Sequence, residues 1–116
     1  MIYDDYTYDE LQTLMKKNSD LQDELGRNIS KLNLGEEENL RMLKEERKAI
    51  DILHSSWTGE NAERYIMQSY ENNEMFQKRY AQAFSHEKNR LQDELKRLQI
   101  EAQDISDAMK NKTKEE

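Results

Sequence analysis

The sequence predicts an all-α protein in which two long antiparallel helices fold as a coiled-coil-like hairpin. Three observations point there. The 116 residues include no proline and three glycines, where average composition would give about six and eight. Apolar residues recur at three- and four-residue spacing on both sides of a midpoint, the signature of amphipathic helices. At that midpoint, "SSWTGENAERY" (residues 55–65) places the single tryptophan two positions from the last glycine. Charged residues make up 37% and apolar ones 34%, with a mean hydropathy of −1.22. Such a chain suits solvated helices sharing a narrow apolar seam and leaves too little apolar material for a thick core. A single hairpin domain over residues 1–109 is expected.

The first helix is expected over about residues 7–55, with Leu11, Leu14, Leu21, Leu25, Ile29 and Leu32, then Leu40, Leu43, Ile50 and Leu53, at helical spacing. The stripe carries a phase shift. Asn18 and Asn28 fall on seam positions, where a polar residue costs stability and can fix register or partner choice. Near Gly35, "NLGEEENL" puts three acids after a glycine, a combination that can end one helix and begin another. An isolated glycine inside a continuous helix costs only about 1 kcal/mol, so the sequence admits both readings there and at Gly26. Ahead of the helix, Tyr3, Tyr6 and Tyr8 can staple its start or dock on a partner.

The second helix is expected over about residues 60–109. Phe84, Leu91, Leu98 and Ile105 stand seven apart, and Leu95, Ala102 and Met109 form a companion row, which together make a coiled-coil seam. Ala62, Ile66, Phe76 and Tyr80 continue the face towards the midpoint, diluted by Ser69 and Asn73. The tail over residues 110–116, "KNKTKEE", has no apolar residue and is expected to fray.

Two helices of about 50 residues would each be roughly 75 Å long and, joined by a turn at 56–59, must fold back on one another. Gly59 can supply a left-handed backbone in that turn, and Trp57 is expected to fold between the helix ends and close the seam. Thr58 or Gly59 would cap the second helix, with Glu60 in its first turn where negative charge is favoured.

Charge and composition exclude several classes. The net charge of −7 repels a phosphate backbone, so nucleic acid is not an expected partner. The locally basic run over residues 78–97, which includes Lys78, Arg79, Lys88 and Arg90, reads as a solvated helix face. No stretch approaches the roughly 18 apolar residues of a membrane span, and "MIYDDYTYDEL" lacks the pattern of a signal peptide. Membrane insertion is not expected, and synthesis in the cytoplasm is.

No enzyme is expected either. His54 and His86 lie in no zinc-binding pattern, Ser55 and Ser56 beside His54 point in different directions on a helix, and no glycine-rich phosphate loop occurs. With no cysteine there is no thiolate chemistry. The chain calls for no cofactor and no metal.

Trp57, Gly59, Ala62 and Tyr65 fit W-x-G-x-x-A-x-x-F/Y. In this the chain resembles the WxG proteins, small helical hairpins of bacterial type VII (ESX) secretion. The match spans nine positions, set at the middle of a proline-free chain of about the family's length. That family carries an export signal after the second helix, an aromatic followed four residues later by an acid. Here the last Phe or Tyr is Phe84, whose fourth neighbour is Lys88, and the nearest substitute pairs Ile100 with Asp104. The length and the missing signal are similar to a subgroup that partners LXG toxins. The resemblance implies a targeting chaperone that binds the helical N-terminal LXG domain of a larger toxin, together with a second small WxG-like protein that supplies the signal, and export without a cleaved signal peptide. The alternatives are a directly secreted WxG-like homodimer and a structural coiled coil unrelated to secretion.

Two helices alone leave the flank of each stripe wet, so a partner is also expected on physical grounds. The candidate partner-binding residues are Met42, Ile52, Met67, Met75, Phe84, Leu91, Leu95 and Leu98. Flexible methionines suit a face that must adapt, and equally fill gaps in a seam.

Overall fold

A computed structural model describes residues 2–115. The chain is all-α, with α1 over Tyr8–Ser56 and α2 over Glu60–Glu115, paired as an antiparallel hairpin. The expected boundaries hold to within one residue at three of the four helix ends. The exception is the end of α2, expected at Met109. The helix continues through residues 110–115, where Lys112 donates from Nζ to the Asp4 carbonyl at 2.8 Å. Glu116, the rest of the expected tail, lies outside the described residues.

The start of α1 is set by Thr7. Its Oγ1 accepts from the Glu10 backbone N–H at 3.2 Å, and Glu10 Oε1 accepts from the Thr7 N–H at 3.2 Å. This reciprocal capping box satisfies two donors that the first turn leaves open. Before it the chain makes a turn, closed by Tyr6 N–H donating to the Tyr3 carbonyl at 3.2 Å, with the Tyr3 and Tyr6 rings edge to face at 5.8 Å. All three N-terminal tyrosines are half-buried.

The break considered at Gly35 does not occur, because α1 passes through both Gly26 and Gly35. Gly35 faces α2, where an added methyl would meet Phe84 Cε1 at 3.7 Å, an ordinary contact. Neither packing nor backbone conformation requires the glycine.

The hairpin divides into two compact units. The first joins residues 1–30 to 89–116 and buries Leu11, Leu25, Leu91, Leu98 and Ile105. Here the heptad row of α2 and the matching row of α1, with Leu11, Asn18 and Leu25 seven apart, form the seam. The second unit comprises residues 31–88 and buries Leu43, Ile50, Ala62 and Ile66.

Each unit also buries one asparagine. Asn18, 2% exposed, donates from Nδ2 to the Leu98 carbonyl at 2.9 Å and accepts from Gln22 Nε2 at 2.6 Å. Asn73, 0% exposed, donates from Nδ2 to the Leu43 carbonyl and to Glu46 Oε1, both at 3.0 Å, and its Oδ1 has no partner. In each case one Nδ2 bond runs to a backbone carbonyl on the opposite helix, whose second lone pair stays free after the intrahelical bond. Asn28, expected at the seam beside Asn18, is exposed.

Candidate functional site

The motif at the midpoint forms the turn of the second unit. Ser56 ends α1 and Glu60 begins α2, leaving residues 57–59 as the connection. Gly59 has φ 113°, the single positive φ among the described residues. A side chain there is strained by the backbone conformation itself, although an added Cβ would meet nothing within 4 Å. Its carbonyl accepts from Glu63 N–H at 3.0 Å, which makes Gly59 the cap of α2. Ala62 is buried to 1% exposure. Trp57 packs on Tyr65, with ring centroids 5.6 Å apart. Trp57 does not fold between the helix ends as expected. It remains 44% exposed, and Ala62 and Ile66 close the seam instead.

Two sides of this unit differ in character, and the cross-helix contacts assign residues to them. Arg47 approaches Glu74 at 3.9 Å and lies over the Tyr70 ring at 5.4 Å. The Tyr70 hydroxyl donates to Asp51, and His54 meets the Tyr70 ring edge-on at 6.1 Å. The hydrogen bond to Asp51 holds the Tyr70 phenol above its usual pKa, with burial and the Asp51 charge adding to it and Arg47 opposing. Lys88 pairs with Glu36 at 3.5 Å. This side is polar and largely paired with itself.

The seven-residue rows on the other side of the seam are Gly35, Met42, Ala49 and Ser56 on α1, and Ala62, Ser69, Phe76 and Ala83 on α2. None carries a charge. Phe76 stacks on Tyr80 at 6.1 Å, and the two are 39% and 43% exposed. With Trp57 and Tyr65 they make an aromatic border along α2.

The candidate partner-binding residues are distributed unevenly. Met42 and Ile52 are exposed on the uncharged side, Met67 is exposed on the polar side, and Met75 is exposed on the outer surface of α2. Phe84 is half-buried against Gly35, and Leu95 is half-buried at the edge of the first unit's seam. Leu91 and Leu98 are buried within that seam and present no surface, which corrects their assignment to a partner. Sequence reading placed Asn73 on the seam face only as a residue that dilutes it, and did not anticipate its burial and its bonds across to α1. It also missed the Arg47, Asp51 and Tyr70 cluster, which no local spacing announces.

Among the described residues no group of three or more His, Asp or Glu side chains is placed to hold a metal ion, and no helix is long and apolar enough to cross a membrane. What the fold and this surface define is a helical hairpin with a glycine turn and an exposed apolar side. No protein-family model matches the chain, and no curated protein or solved structure matches it.

Proposed function

We propose that this chain is a type VII secretion partner protein that binds the helical N-terminal domain of an LXG-type toxin, acting as the partner without an aromatic-acid export signal. The observation that carries the reading is the turn. Gly59 at φ 113° caps α2, Ala62 is buried behind it and Trp57 rests on Tyr65, so the four residues of the W-x-G-x-x-A-x-x-Y pattern act as one local structure. The exposed apolar side next to it supplies a surface for a helical partner. Binding and escort are the activities such a surface performs, with no chemistry required of it.

The test is capture of the tagged full-length chain from its own cells, with co-purifying proteins identified by mass spectrometry. A larger protein with an LXG-type helical N-terminus is expected, accompanied by a second small hairpin that carries the aromatic-acid signal. Recovery of this chain alone would replace the proposal with a homodimer.

A further inference from the structure

We infer that the uncharged side of the 31–88 unit is a docking surface for one amphipathic helix of a partner protein, a helix with Lys or Arg along the edge that meets α1. This rests on the partner role proposed above and names the surface and the chemistry that would fill it. The exposed apolar residues come from both helices: Met42 and Ile52 on α1, and Tyr65, Phe76 and Tyr80 on α2, with Trp57 in the turn. Between residues 35 and 56 the surface runs for about 32 Å at 1.5 Å per residue. That is the length of roughly six helical turns of a guest.

Charge complementarity selects the guest. On α1, Glu38 and Glu45 stand seven apart on the outer row beside Met42 and Ala49, and neither forms an ion pair among the described residues. The opposite side of the unit is different, because Arg47 and Lys88 already neutralise Glu74 and Glu36 there. A guest with cations along the α1 edge and bulky apolar side chains on its inner face meets both features. A second copy of this chain would offer the same two glutamates and, on the corresponding row of α2, the single cation Arg79. It matches the edge poorly, which is why a different protein is the occupant.

Two alanines on α2 make a matched pair for the test. Ala83 belongs to the uncharged row and Ala81 to the row of Glu74 and Lys88, and both are exposed. The natural chain has no cysteine, so the purified full chain with Ala83→Cys or Ala81→Cys takes one thiol-linked photoactivatable crosslinker and is then irradiated in a lysate of its own cells. The expected product from position 83 is a crosslink to an amphipathic segment with Lys or Arg on one edge, at least about tenfold above position 81. Glu38→Lys with Glu45→Lys should lower capture of the same protein about tenfold, as loss of close charge pairs does, with the thermal melt unchanged. Equal crosslinking from both positions, or a crosslink from position 83 to another copy of this chain, overturns the inference. So does an unchanged yield with both glutamates reversed.

The two proposals fail separately. A basic-edged helix from a protein that is not a toxin keeps the docking surface and removes the secretion role. A toxin captured without preference for position 83 does the reverse.

Discussion

The two units of this hairpin meet one packing problem with different materials. Residues 1–30 and 89–116 bury leucine and isoleucine along regular heptad rows, and the one buried asparagine, Asn18, has both its oxygen and its nitrogen engaged. Residues 31–88 close with Leu43, Ile50, Ile66 and the small Ala62, and leave Asn73 Oδ1 buried without a partner. Eleven of the fourteen large apolar residues exposed among those described lie in this second unit, so its apolar material faces outward. One unit turns its large apolar side chains inward, and the other leaves most of its own exposed.

The largest expected effect tests that contrast at the seams. Ile105→Ala removes a fully buried side chain and should cost about 3 kcal/mol. Ile50→Ala, in the second unit, should cost nearer 2 kcal/mol, the low end of the range for such truncations. Urea denaturation of each variant measures the costs, and hydrogen exchange locates them. Equal costs, or slower amide exchange in residues 31–88 than in the first unit, would dissolve the comparison.

Next comes the turn. Gly59→Ala forces a side chain into positive φ and should destabilise by about 1–2 kcal/mol. An unchanged melting temperature would show that the backbone relaxes there without loss.

The asparagines sharpen the contrast further. Asn73→Leu gives up the bonds to Leu43 and Glu46 but also removes a buried oxygen that has no partner, so it should be more favourable than Asn18→Leu by about 1 kcal/mol. Asn18→Leu removes a satisfied group and should bring no gain. If the two variants shift the urea midpoint alike, the difference in satisfaction has no energetic meaning. Gly35→Ala should add about 1 kcal/mol of helix propensity, since the methyl meets only an ordinary contact.

The smallest effect is one of pH. Because the Tyr70 phenol donates to Asp51, its folded pKa lies above the unfolded value. The stability it contributes is therefore complete below about pH 10 and is lost as pH rises through the folded pKa. Phenolate absorbance should show one tyrosine ionising at lower pH in Asp51→Asn than in the natural chain. Coincident titration curves would remove the Tyr70–Asp51 bond from the account.

Much of the fold was legible because helical periodicity is a local property. The rows through Leu91, Leu98 and Ile105 and the glycine turn follow from spacing and from backbone sterics alone. The side taken by each flanking residue was less legible. Met42 and Met67 look equivalent as isolated methionines, yet they lie on opposite sides of the seam. Trp57 invited burial by its size, but the small Ala62 lets the helix ends close without it.

By itself, then, the sequence determined two helices, their turn and their approximate ends, because proline-free amphipathic repeats and one strategically placed glycine act through nearest neighbours. Only the tertiary structure decided that α1 runs unbroken through Gly35, that Asn73 is buried while Asn28 is not, and that Arg47, Asp51, Tyr70 and Glu74 meet across the helices. Those outcomes depend on which residues of the other helix stand opposite, and that pairing across 30 to 80 positions of chain is absent from any local pattern.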